Sequence, residues 1–87
     1  MKFWRVTQPR FAVIAATSLE VANATYQQAL GLPARDATQE TVSDVLTLMI
    51  HRISDEATFD QQVQELVRAI NTAQERDILA LEVTSNV

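Results

Sequence analysis

The hydrophobic positions change period several times along the chain, and each change marks an element. Lys2 to Thr7 (KFWRVT) alternates, with Phe3, Trp4 and Val6 between polar neighbours, and predicts a strand. Gln8-Pro9 interrupts it, because proline has no amide for a central ladder and pushes the preceding residue toward extended or turn geometry. Phe11 to Ala16 (FAVIAA) is the only run of six consecutive apolar residues. It is too short to span a bilayer and is bounded by Arg10 and by Thr17-Ser18, so it predicts an interior strand with both faces covered. The two strands read as a hairpin turning at Gln8-Pro9, or as one long edge strand bent there. The hairpin is the preferred reading.

Helix signals follow. Thr17-Ser18-Leu19-Glu20 fits a capping box in which the Thr17 hydroxyl accepts from the Glu20 amide. Leu19, Ala22, Tyr26, Ala29 and Leu30 recur at helical spacing. Gly31 suits a left-handed end, Leu32 would fold back toward Tyr26, and Pro33 stops continuation. Residues 42–53 fit two templates. As a helix, Val42, Val45, Leu46, Met49, Ile50 and Ile53 fill one face, with Glu40 and Asp44 near its start and His51 and Arg52 near its end. As a strand, Leu46, Leu48 and Ile50 share a face, but a loop of about a dozen residues then follows Pro33, longer than usual. The helix fits better. Ser54 or Thr58 caps a further helix, with Phe59, Val63, Leu66, Val67 and Ile70 as its buried stripe. Asp77 to Thr84 (DILALEVT) predicts a closing strand, with Leu79, Leu81 and Val83 toward the helices and Ile78, Ala80 and Glu82 away from them.

These elements assemble into one small α+β domain over residues 1–87, with two layers. The N-terminal β-hairpin and the C-terminal strand form one sheet with helices on one face. With residues 45–53 as a strand, the order becomes a ferredoxin-like split β-α-β arrangement. Either version leaves a second sheet face carrying Val13 or Ile14. A homodimer or a bound protein partner is the expected cover for that face.

Composition narrows the chemistry. One Gly and two Pro argue against a sandwich of many short strands. The absence of Cys removes disulfides, thiolate metal sites and a cysteine nucleophile. Lys2, Arg5 and Arg10 ahead of FAVIAA, with Ala22-Asn23-Ala24 beyond, imitate a secretory signal. Thr17, Ser18 and Glu20 break the apolar region too early, so the segment is expected to stay in a mature, cytoplasmic chain. No cofactor is expected: the sole glycine excludes a phosphate-cradling loop, and one histidine without cysteine argues against zinc or copper.

The net charge of −4 conceals an asymmetry. Residues 1–35 carry Lys2, Arg5, Arg10 and Arg35 against Glu20, for +3, while residues 36–87 carry ten acids against Arg52, Arg68 and Arg76, for −7. Opposite signs in one small domain steer a charged partner or favour head-to-tail self-association; alternatively the acids only solvate the helices. Asp55, Glu56 and Asp60 lie close in sequence but suit helix N-termini, and the glycine of a calcium loop is missing. The acidic total opposes direct nucleic-acid binding. Ser54, His51 and Asp44 can be drawn as a triad on helical spacing, but no glycine-rich oxyanion loop accompanies them, and His51 reads as an exposed residue near a helix end.

The sequence therefore points to a non-enzymatic protein-binding module, dimeric or otherwise oligomeric, that uses a sheet face or edge and an acidic helical surface. The candidate partner-binding residues are Phe3, Trp4, Arg5 and Arg10, a basic aromatic patch, together with Asp60 and Glu65. For Trp4 a place in the core is the stronger reading, since Phe3 and Trp4 alternate and one of them must face inward. A second expectation is an inhibitor or decoy, of the kind a phage or other mobile element encodes, whose acids occupy a basic nucleic-acid site on a host protein. A third, a small-molecule enzyme using His51, needs a hollow that holds His51 and a carboxylate.

Overall fold

The computed structural model describes residues 1–81. Four strands and three helices follow in the order β1 (Lys2–Val6), β2 (Ala12–Ala16), α1 (Leu19–Leu30), β3 (Thr38–Glu40), α2 (Val42–Ile50), α3 (Phe59–Asn71) and β4 (Ile78–Leu81), with a single 3-10 turn, Glu56–Thr58, before α3. The sheet runs β3-β1-β2-β4 with every neighbouring pair antiparallel. The hairpin is as expected: Phe3 faces Ala15, Trp4 faces Ile14 and Arg5 faces Val13, and the connection contains a cis Gln8–Pro9 bond. The α+β class, with the hairpin and the C-terminal strand in one sheet, holds.

The placement of the helices is corrected. Side chains alternate across each strand, and the two sides of β1 and β2 meet different helices. Phe3, Val13 and Ala15 pack with Val45 of α2 and with Leu66 and Ile70 of α3. Trp4, Val6, Ala12, Ile14 and Ala16 pack with Ala22 and Tyr26 of α1. The molecule thus has three layers, not two, and no sheet face is left open around Ile14. The reason for expecting a dimer, an uncovered sheet, disappears. FAVIAA is apolar throughout because it is covered from both sides by its own chain, and all five residues of β2 are buried.

Local chemistry explains the element ends. The cap of α1 is Ser18, one residue later than expected, whose hydroxyl accepts from the Val21 amide. Thr17 instead gives its amide (2.7 Å) and hydroxyl (2.6 Å) to the Glu75 carboxylate. Gly31 ends the helix at φ 73° with its amide on Gln27 O, which a Cβ would disfavour. Leu32 does not fold back; it is exposed. Residues 42–50 are helix, capped by the Thr41 hydroxyl accepting from the Asp44 amide at 3.1 Å, so the split β-α-β alternative does not apply. The Asp55 carboxylate, not Ser54, caps the turn before α3, accepting from the Ala57 amide and the Thr58 hydroxyl.

Several buried-stripe expectations change as well. Val42, Phe59 and Val67 are exposed. Val67 lies roughly 100° around α3 from Leu66, so only one of the two can face the sheet. In β4 the register slips between Val13 and Ile14, so Leu79 and Ala80 both join the α2–α3 side and Leu81 the α1 side. Simple alternation had put Leu79 and Leu81 together and Ala80 opposite. The expected strand positions Glu82, Val83 and Thr84 lie outside the described residues. A fourth strand absent from the sequence pattern, β3, pairs with β1 through the polar triplet Thr38-Gln39-Glu40.

Candidate interaction surface

The expected basic aromatic patch does not assemble. Alternation sends Phe3 to the α2–α3 side and Trp4 to the α1 side, where they are 3% and 8% exposed, and Trp4 Nε1 donates to Ala16 O at 3.0 Å. Both rings belong to the core, because a central strand has no solvent side. Arg5 shares a face with Phe3 and its Nε lies 2.8 Å from Glu40 Oε2. The N–H is not aimed along that contact, so it is an ion pair and not an aligned hydrogen bond. With Arg5 partly exposed, such a pair contributes at most about 1 kcal/mol. Arg10 is half-buried, and its backbone is gripped from both sides. The Tyr26 hydroxyl accepts from the Arg10 amide and donates to the Arg10 carbonyl, each at 2.8 Å. Asp60 and Glu65 are exposed on α3.

Two hollows open on the α2–α3 side, separated by α2. The first, about 310 Å³, is lined by Met49, Ile53, Leu66, Ala69 and Leu79, with Gln62 and Glu65 at its polar margin. It lies where the apolar residues of α2 run past the helix end at Ile50, leaving Ile53 half-exposed against α3 and the edge strand β4. The second, about 330 Å³, is polar and is bounded by Arg5, Glu40, Asp44, Thr47, Leu48 and His51. Asp44, Thr47, Leu48 and His51 recur at helical spacing on one side of α2 and look onto the β1–β3 ion pair.

The polar hollow does unite His51 with carboxylates, but Ser54 does not line it, so the Ser54-His51-Asp44 triad does not form. Helix α2 ends at Ile50 and the chain turns away before Ser54. His51 is exposed beside the last turn. Among the described residues no group of three or more His, Cys, Asp or Glu side chains is placed to hold a metal ion, and no helix is long and apolar enough to cross a membrane.

Of the acids among the described residues, five make contacts within the chain. Asp36 accepts from the Thr7 hydroxyl, the Thr7 amide at 2.9 Å and the Gln8 amide at 3.0 Å. Burial pushes the Asp36 carboxyl upward, but these donors and the nearby Arg5 charge outweigh it and hold it below the ordinary carboxylate value. Glu75 holds Thr17, Asp77 accepts from the Gln74 amide, Asp55 caps, and Glu40 faces Arg5. Of the acids on α3, Glu65 stands at the margin of the apolar hollow.

Comparison of the chain with protein-family models, with curated proteins and with solved structures finds no match. Sequence reasoning missed Met49, Ile53, Ala69 and Leu79 as a group. The available signal was Ile53: an aliphatic residue that continues the stripe of α2 beyond its last turn must be covered by something other than that helix.

Proposed function

We propose that the protein is a non-catalytic protein-binding module whose working surface is the apolar groove between α2, α3 and β4, together with the acidic margin of α3. The observation that carries this reading is a concave apolar site with a carboxylate on its edge: Met49, Ile53, Leu66, Ala69 and Leu79 surround the hollow and Glu65 borders it. Phe59, seven residues before Leu66 and so on the same side of α3, adds exposed apolar area toward the start of the helix. The chemistry that fits is a protein segment presenting one aliphatic or aromatic side chain flanked by Lys or Arg.

The sheet-face mode is set aside because both faces of β1 and β2 are covered, whereas the edge strand β4 contributes Leu79 to the groove. The decoy reading has less support. Five carboxylates are fixed by contacts inside the chain, at both ends of the sheet and at a helix cap, which interrupts a phosphate-like track.

The test is a titration of the isotope-labelled chain with a leucine-and-lysine peptide, followed by amide chemical shifts. The expected result is a set of shifts confined to Met49, Ile53, Leu66, Ala69 and Leu79, weakened by Glu65→Lys and by added salt. Shifts centred on α1, or equal binding by Glu65→Lys, would remove the proposal.

A further inference from the structure

We infer that the segment which fills this groove is the Leu32–Arg35 turn of a second copy of the same chain, so that molecules associate head to tail. The inference rests on the binding reading above and names its partner.

The turn has the chemistry the groove asks for. Leu32 is 41% exposed, and Arg35, three residues on, is exposed with no ion pair among the described residues. Both belong to the part of the chain with net charge +3, whereas the groove belongs to the part with −7. An aliphatic side chain with a guanidinium in the same short segment therefore meets an aliphatic hollow bordered by a carboxylate, Glu65.

The turn is also held in shape. Gly31 fixes its start in the left-handed region, the Arg35 amide donates to Gln8 O at 3.0 Å, and Asp36 clamps Thr7 and Gln8 just beyond. A rigid knob loses little conformational freedom on docking. A single side chain in a hollow of about 310 Å³ makes a small interface, so the association is weak and sensitive to salt.

Geometry decides the form of the assembly. Ala34 and Ala37 pack into the cluster beneath α1, which places the turn on the α1 side of the sheet, while the groove lies on the other side. Donor and acceptor on opposite sides make a heterologous contact, which adds copies in series and is not closed by a twofold axis through that contact.

Sedimentation velocity over a concentration series tests this. The weight-average mass should rise with concentration without a plateau at dimer, and should fall as salt is added. Glu65→Lys alone, and Leu32→Ser with Arg35→Ser, should each weaken association by about tenfold or more. All three positions are exposed, and a denaturation curve for each variant checks that folding is kept. Mixing the two variants supplies one intact knob and one intact groove, so a 1:1 complex that grows no further should appear. A strict monomer at every concentration, with the peptide still bound at the groove, would overturn this inference and leave the binding reading in place. No association and no peptide binding would overturn both. Association that neither variant disturbs would place the contact elsewhere and would also overturn it.

Discussion

The two sides of the sheet are closed differently. On the α1 side Val6, Ala12, Ile14, Ala16 and Ala22 are fully buried and Tyr26 is 1% exposed. On the α2–α3 side Val13, Ala15 and Val45 are as deep, but Leu46, Leu48, Met49, Ile50 and Leu79 remain partly exposed, and both hollows lie there. The difference begins with side-chain size and anchoring. Ala22 lets α1 lie close to the strands, and Tyr26 fills the remaining space and pins its polar tip to both backbone groups of Arg10. Across the sheet two helices share the cover, and the seam between aliphatic side chains is not completed. Two charged contacts border that side: Arg5 with Glu40, and the Arg52 guanidinium carbon 3.9 Å from the Phe11 ring centroid. The α1 side also keeps Val21, Leu30, Ala34, Ala37 and Leu81 partly exposed, but the two hollows described both lie under α2 and α3.

Substitutions can break this contrast, beginning with the largest effect. Tyr26→Ala should remove about 3–5 kcal/mol in a denaturation midpoint experiment, because it opens a cavity and orphans two backbone groups at once. Leu66→Ala, at the groove wall, should cost only about 2 kcal/mol, since part of its surroundings is already open. Equal losses at the two positions would erase the distinction between the faces.

A smaller effect tests the clamp beneath the hairpin turn. Asp36 has a folded-state pKa below its unfolded value, so its contribution is fully present above the unfolded pKa and is lost as pH falls through the folded one. Asp36→Asn should therefore be about 1 kcal/mol less stable than the parent at neutral pH, an amount kept small by solvent around the site. The gap should narrow as the medium is made acidic. A gap independent of pH would show that the carboxylate charge is not what holds Thr7 and Gln8.

The smallest effect concerns Arg76, the one non-glycine residue with positive φ, 71°, among the described residues. Its amide donates to Ala15 O at 2.8 Å and fixes the approach to β4. Arg76→Gly should gain about 0.5 kcal/mol, because relief of left-handed strain slightly exceeds the added chain freedom. A loss would mean that the Arg76 side chain makes a contact worth more than that strain.

Much of this architecture can be read from the residues, and the failures have physical causes. FAVIAA requires cover on two sides, and Gly31 marks the end of α1. What periodicity cannot say is which face a helix covers, since Ala22 and Tyr26 form the same stripe wherever α1 packs. The requirement for a second cover was correct, but its source was α1 and not another molecule. Thr38-Gln39-Glu40 escaped notice because a three-residue polar edge strand is held by backbone pairing to β1 and has no hydrophobic signature. Of the candidate site, Arg5 and Glu65 border hollows, whereas Phe3 and Trp4 went to the core. The groove residues were illegible because they converge from α2, α3 and β4.

The lone tryptophan carries an optical consequence. Trp4 is enclosed beneath α1 with its indole N–H on Ala16 O, on the far side of the sheet from the groove. Its emission should report the collapse of the whole domain and stay nearly silent when a ligand settles between α2 and α3. A fluorescence screen that relied on it would score true binders as blanks, whereas a label on Gln62, at the polar margin of the groove, would register them.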